Sequence, residues 1–201
     1  MRRRLFWLIM LAPFILGAYG YYTLRSADEA VKAAGAEVLK QYQRRADLAP
    51  NLVNIARVHA AREKEVLARV TEARAKVGAI PAKPEVLNDE QVLARFLAAQ
   101  GEMRSTLARL LLLAERYPPL KADATFREFR AQLEGTENRG VSARLRYAKA
   151  VHEYNATVSR FPGNFAAMLF GFKAKPSLGI ETEQAPAKPL AAKFGAPARS
   201  E

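Results

Sequence analysis

The chain contains no cysteine, which excludes disulfides, thiolate metal sites and a cysteine nucleophile. That absence fits the cytoplasm and the periplasm equally. Histidine is nearly absent too: only His59 and His152 are present. No segment shows the two-residue alternation of a strand, no internal repeat is present, and no glycine-rich phosphate loop follows a strand. The formal net charge is +12, yet no run of five or six basic residues occurs. Arg2, Arg3 and Arg4 supply +3, the segment from Lys173 onward supplies +2, and the remaining +7 is spread among interleaved acids. Such a distribution describes a mixed, solvated surface rather than a nucleic-acid groove.

What is abundant is hydrophobic surface. Half of the 201 residues are hydrophobic, enough for one domain of ordinary size with a sizeable core. The stretch Leu5 to Leu24, LFWLIMLAPFILGAYGYYTL, carries no charge over 20 positions, about the length needed to cross a bilayer as a helix. Trp7 and Tyr19, Tyr21 and Tyr22 sit near its ends, where amphipathic rings favour the interface. Pro13 is tolerated in a spanning helix. Arg2 to Arg4 precede the stretch, whereas Arg25 is followed by Asp28 and Glu29, so the positive-inside rule places the N-terminus in the cytoplasm and the rest across the membrane. The rival reading is a cleaved signal peptide ending at Ala18-x-Gly20; the bulky Tyr21-Tyr22 pair makes a poor mature start. Both readings export the body of the chain.

Beyond the apolar stretch the rhythm is helical. Ser26-x-x-Glu29 has the form of a capping box and predicts a helix start. Val31, Ala34, Val38, Leu48, Leu52, Ile55, Val66, Val70, Ala73 and Val77 recur at spacings of three and four or their multiples, and Pro50 predicts a kink or break near Ala49. Gly78 to Asn88, with Pro81 and Pro84, reads as a connection, and Asn88-x-x-Gln91 as the next start. Val92, Phe96, Ala99, Met103, Leu107, Leu110, Ala114 and Tyr117 follow at helical spacing until Pro118-Pro119. Asp123 is the expected cap of a last long helix whose seam runs Phe126, Phe129, Leu133, Thr136, Gly140, Ala143, Tyr147, Val151, Tyr154, Val158 and Phe161. Pro162-Gly163 ends it. The apolar run Asn164 to Phe172 is too short to span a membrane; we read it as a cap on the bundle in preference to an interfacial contact. From Lys173 the Ala-, Pro-, Lys- and Glu-rich composition predicts a disordered tail. The expected fold is all-α: an elongated antiparallel bundle of long helices with an N-terminal transmembrane helix.

Particular residues carry a family resemblance. The segment QRRADLAPNLV (Gln43 to Val53), Glu63, EARA (Glu72 to Ala75), Tyr117-Pro118, LEGTEN (Leu133 to Asn138), Arg144, Tyr147, EYN (Glu153 to Asn155) and Phe161-Pro162 together resemble the signature of the LemA family of bacterial membrane proteins, in the family's order. The resemblance implies one N-terminal transmembrane segment followed by a long-helix bundle, and it implies no catalytic activity. Charge, hydropathy and composition divide the chain into a basic flank (1–4), an anchor (5–24), a LemA-like bundle (25–172) and a tail (173–201). Together with the positive-inside reading, the expectation is a bacterial inner-membrane protein, single-pass, with the N-terminus in the cytoplasm and the bundle on the periplasmic side. Four positions depart from the pattern: His59 replaces Tyr, Arg62 replaces His, Gly140 replaces an aliphatic residue, and Ala148 replaces Asn. The last two put tight packing and one polar contact of the final helix in question.

The candidate site is the polar set within that signature: Arg44, Arg45, Asp47, Asn51, Glu63, Glu137, Asn138, Arg144, Tyr147 and Asn155. It is read either as a recognition surface or, preferentially, as groups that satisfy backbone freed by Pro50 and fix the register between helices. Coupling between Arg45 and Glu137 would show that the two halves of the set meet. His59 and Glu63, four apart, share a face of an unbroken helix, but three inward metal ligands cannot be assembled. Ser142 and Ser159 lack a histidine at reachable spacing. No cofactor, metal or catalytic residue is therefore expected. The leading expectation is a membrane-anchored scaffold or adaptor of the cell envelope, its partners being the membrane through the N-terminal helix and other envelope proteins or a second copy of the chain. The alternative is a bundle that binds anionic lipid at the membrane surface. Nucleic acid and small molecules are disfavoured.

Overall fold

A computed structural model of the chain describes residues 2–177, with side chains described from residue 14 onward except at position 85. Among those residues every regular element is a helix and none is a strand: α1 (Arg2–His59), α2 (Lys64–Gly78), a 3-10 turn (Pro84–Leu87), α3 (Glu90–Ala114), α4 (Pro118–Ala122), α5 (Ala124–Ser159) and α6 (Gly163–Phe170). The 58 residues of α1 give a rod of about 87 Å at 1.5 Å per residue. Among the described residues no helix is long and apolar enough to cross a membrane. The expected anchor falls partly on residues 5–13, whose side chains lie outside the described residues. The tail at 178–201 lies outside them as well.

The core follows the three-four rhythm. On α1, Gly20, Leu24, Asp28, Val31, Gly35, Val38, Tyr42, Arg45, Ala49, Leu52 and Ala56 are buried in succession, each three or four positions after the last. On α5 the matching seam is Leu133, Thr136, Gly140, Ala143, Tyr147, Val151 and Tyr154. The pairings His59–Asp123, Arg45–Glu137, Tyr42–Arg144 and Gly20–Pro162 show that the helices run antiparallel. α2 folds back on α1, and α3 runs beside α2, also antiparallel to it, so that Lys76 meets Glu102 at 2.8 Å. At Gly35 the chains approach closely: a Cβ there would collide with Leu87 Cδ1 and lie 3.3 Å from Tyr147 Cε2.

Several boundaries differ from expectation, for identifiable reasons. No helix starts at Ser26; α1 continues through it, and Glu29 pairs with Arg25 and Lys32 instead of capping. Buried Leu24 and Val31 on either side hold this stretch in one seam. No break occurs at Pro50 either. A helical proline costs about 3 kcal/mol, but Ala49, Leu52 and Val53 around it are buried, and each large apolar side chain contributes about 1.5–3 kcal/mol. The chain turns instead at Ala60–Glu63, where no proline or glycine marks it, because folding back buries Leu67, Val70, Ala73 and Val77 of α2. α3 is capped by Asp89, one residue after the expected Asn88; its carboxylate accepts the Gln91 and Val92 N–H groups at 2.9 and 3.0 Å. Asp123 caps α5 as expected, accepting the Phe126 N–H at 2.8 Å. The Pro118-Pro119 pair lies beyond the end of α3 and opens α4.

α6 caps the bundle only through its small residues. Gly163, Ala166 and Ala167 are buried, while Phe165, Met168, Leu169 and Phe170 are exposed. Phe161, the expected end of the α5 seam, is exposed as well.

Candidate functional site

Two apolar cores fill the rod. One joins α1 beyond Ala46 with α2, α3, α4 and the start of α5; the other joins α1 from Leu24 to Tyr42 with the 3-10 turn, the start of α3, the second half of α5, and α6. Between them lies a polar waist. Arg45 is 2 % exposed and its guanidinium meets the Glu137 carboxylate at 2.6 Å. It also lies over the Tyr42 ring, 5.4 Å from the centroid. Tyr42 packs edge-on against Phe96 and accepts a hydrogen bond from Arg144 at 3.2 Å. Beside this group, Arg139 donates to Gln41 at 3.4 Å and to Thr136 at 3.2 Å. Gln100 is buried, and its side-chain amide finds no hydrogen-bond partner among the described residues; the same is true of the Tyr147 hydroxyl and Arg45 Nε. Burial raises the Tyr147 pKa above its ordinary value.

The predicted set is thus dispersed along the rod. Arg45, Glu137 and Arg144 meet at the waist, with Tyr147 buried in the core beside it. Arg44, Asp47, Asn51 and Asn138 face solvent. Glu63 lies at the far end of the bundle, accepting hydrogen bonds from the Tyr117 hydroxyl at 2.9 Å and from Arg116 at 3.4 Å. The hydrogen bond to Glu63, then burial, pushes the Tyr117 pKa up. Because α1 ends at His59, that residue and Glu63 share no helix face. His59 Nε2 instead lies 3.3 Å from the Asp123 carboxylate. Asp123 is held below the usual carboxylate range, first by the Phe126 N–H and then, against burial, by His59. Among the described residues no group of three or more His, Asp or Glu is placed to hold a metal.

Asn155 fastens the chain beyond α6. Its amide donates to the Lys175 carbonyl and accepts the Lys175 N–H, both at 2.9 Å, while Tyr154 donates to the Lys173 carbonyl at 3.0 Å. The Lys175 ammonium reaches Asp28 on α1 at 2.5 Å, and Lys32 reaches the same carboxylate at 2.8 Å. Burial alone would raise the Asp28 pKa, but the hydrogen bonds and charges of Lys175 and Lys32 outweigh it and hold the carboxyl low. Residues 173–175, expected to begin a disordered tail, therefore form a strap across α1 and α5. Sequence reasoning missed Tyr42, Gln100, Asp28 and Lys175. Only the Asp28-x-x-x-Lys32 spacing gave a local signal; Lys175 sits in a low-complexity stretch that showed none.

The family model described as LemA family matches residues 34–194. The chain belongs to the LemA family. Among its relatives are magnetosome protein MamQ 2 of Paramagnetospirillum magneticum, 27% identical over 175 residues covering 79% of this chain and 64% of the relative. Magnetosome protein MamQ of Magnetospirillum gryphiswaldense is 26% identical over 182 residues, covering 83% of this chain and 66% of the relative. The chain thus spans just under two thirds of the length of these curated relatives. Of the LemA-like residues, Arg45, Glu137 and Arg144 join α1 to α5, and Asn155 secures the strap. The departure at Gly140 leaves room: a Cβ there meets nothing closer than Gln41 Cβ at 4.0 Å.

Proposed function

We propose that this LemA-family chain is a membrane-anchored helical scaffold or adaptor of the cell envelope that performs no catalysis. The observation that carries the reading is the continuity of α1, one helix of 58 residues that begins at Arg2, runs through the uncharged N-terminal stretch and forms the spine of both cores. A tether and a bundle sharing one helix move as one rod, which holds the distal surface at a set distance from the bilayer. The relatives are named for a cellular structure rather than for a reaction, which supports the same reading. The charge asymmetry around residues 5–24 supports a single crossing with the bundle on the periplasmic side of the inner membrane.

In this reading the polar residues divide in two. Arg45, Glu137, Arg144 and Tyr147 set the register of α1 against α5, and the exposed Arg44, Asp47, Asn51 and Asn138 contact a protein partner or a second copy. Affinity purification from gently solubilised membranes tests this. The expected outcome is a recurrent protein, or the chain itself, that disappears when Arg44, Asp47 and Asn51 are replaced by Ala at unchanged expression. Recovery of no recurrent protein with the wild-type chain refutes the adaptor role. A C-terminal reporter active only in the cytoplasm refutes the placement.

A further inference from the structure

From Phe161 to Phe172 the chain carries no charged residue over twelve positions, with Arg160 before and Lys173 after. α6, at its centre, is sorted by size. Its small residues dock on α1, where a Cβ at Gly20 would come within 2.9 Å of Ala166 Cβ. Phe165, Met168 and Leu169 point away, with Met168 78 % exposed and Leu169 62 %. A helix that needed only to cap the core would bury its large side chains first, since burial stabilises in proportion to apolar area.

The neighbouring surface of α1 has the same character. Tyr21 packs on Phe170 and Phe172, with ring centroids 4.8 and 6.0 Å away. Phe14, Ile15, Leu16, Tyr19 and Tyr22 are exposed on the adjoining turns. Together these residues form one apolar collar at one end of the rod, whereas exposed large apolar residues elsewhere, such as Val58 and Leu112, are scattered. The height of α6 is also informative. Gly20 and Tyr21 precede Leu24, the last uncharged residue of the stretch, by three or four positions, so α6 sits about 4.5–6 Å inside that boundary. Interfacial helices bury their apolar faces to about that depth, roughly 5–10 Å.

We propose that α6 is a second membrane contact: an interfacial helix whose Phe165, Met168 and Leu169 face lies at the acyl–headgroup boundary of the bilayer that the N-terminal stretch enters, while Phe170 packs on Tyr21 of α1. The collar then touches lipid at two elements, one crossing and one lying flat, which fixes the tilt of the rod as well as its position. Arg160 and Lys173 lie at either end of the uncharged segment, where basic side chains reach the headgroups.

This inference rests on the membrane-anchored reading, and single-site labelling of the full chain tests the two separately. The absence of cysteine allows Met168→Cys, Ile15→Cys and Leu145→Cys to be labelled individually with a polarity-sensitive fluorophore in phosphatidylcholine vesicles. All three side chains are exposed, so labelling leaves the core intact. The expected result is quenching of positions 168 and 15 by nitroxide-bearing lipids, with severalfold less quenching by aqueous iodide than at position 145. Lipid quenching at 15 but not at 168 overturns the α6 contact and leaves the anchor standing. Lipid quenching at neither overturns both. Protection of 168 from iodide and from lipid nitroxide alike overturns the lipid contact and assigns the face to a second copy of the chain.

Discussion

The two halves of the rod solve the packing problem with different side chains. In the distal half, α1, α2, α3 and α5 surround a core of Leu, Val, Ala and Met with Phe126 as the fully buried aromatic. In the proximal half α1 and α5 run with less company, and four buried aromatic residues, Tyr42, Phe96, Tyr147 and Tyr154, fill the space. Large flat rings each bury more area than an aliphatic side chain, which suits a core with fewer long helices. The halves differ outside as well: the apolar collar belongs to the proximal half alone, and the strap of residues 173–175 ties that half together through Asn155 and Asp28.

The polar waist separates the halves, and its disruption should have the largest effect. Glu137→Ala strands the buried Arg45 charge and is expected to cost about 3 kcal/mol, read by denaturant unfolding in mild detergent. A cost near zero would show that Arg45 finds water and that the waist is not a joint. Next in size is Gly20→Ala, whose methyl group meets Ala166 Cβ; such overpacking costs about 1–3 kcal/mol. Faster hydrogen exchange confined to residues 163–175 is the expected sign, and unchanged exchange there would detach α6 from the proximal half.

The strap should add an acid limb to the proximal half only. Asp28 has a lowered folded pKa, so its contribution is present above the unfolded value of about 3.9 and is lost as pH falls through that value towards the folded one. The protection factor of the Lys175 amide should therefore fall below about pH 4 in the wild type, and Asp28→Asn should show low protection without that pH step. The smallest effect is a gain. Gly140→Ala, with room for the methyl group, is expected to stabilise by about 0.5–1 kcal/mol by restricting the unfolded chain; a loss of stability would mean that α1 and α5 close more tightly at the waist.

The candidate site was legible in part. The signature residues Arg45, Glu137 and Arg144 come together at the waist, the first two as an ion pair. Glu63 and Asn155 belong to the same signature, but they occupy the distal end and the strap. Gln100 gave no signal, since a buried glutamine on a helix looks like any surface glutamine until its neighbours are known. The apolar run 164–172 was visible as a run, while the sorting of small residues inward and large residues outward was not.

By itself the sequence determined the helical class and the seams, because the three-four spacing of apolar side chains depends only on local helix geometry. It determined the caps at Asp123 and, within one residue, at Asp89, since capping is also local. Tertiary structure decided that α1 would pass through Ser26 and Pro50, that the chain would turn at Ala60–Glu63, and that Lys175 would reach Asp28. Those outcomes depend on what is buried by groups distant along the chain, and local propensity differences of a few kcal/mol yield to burial of several side chains at once.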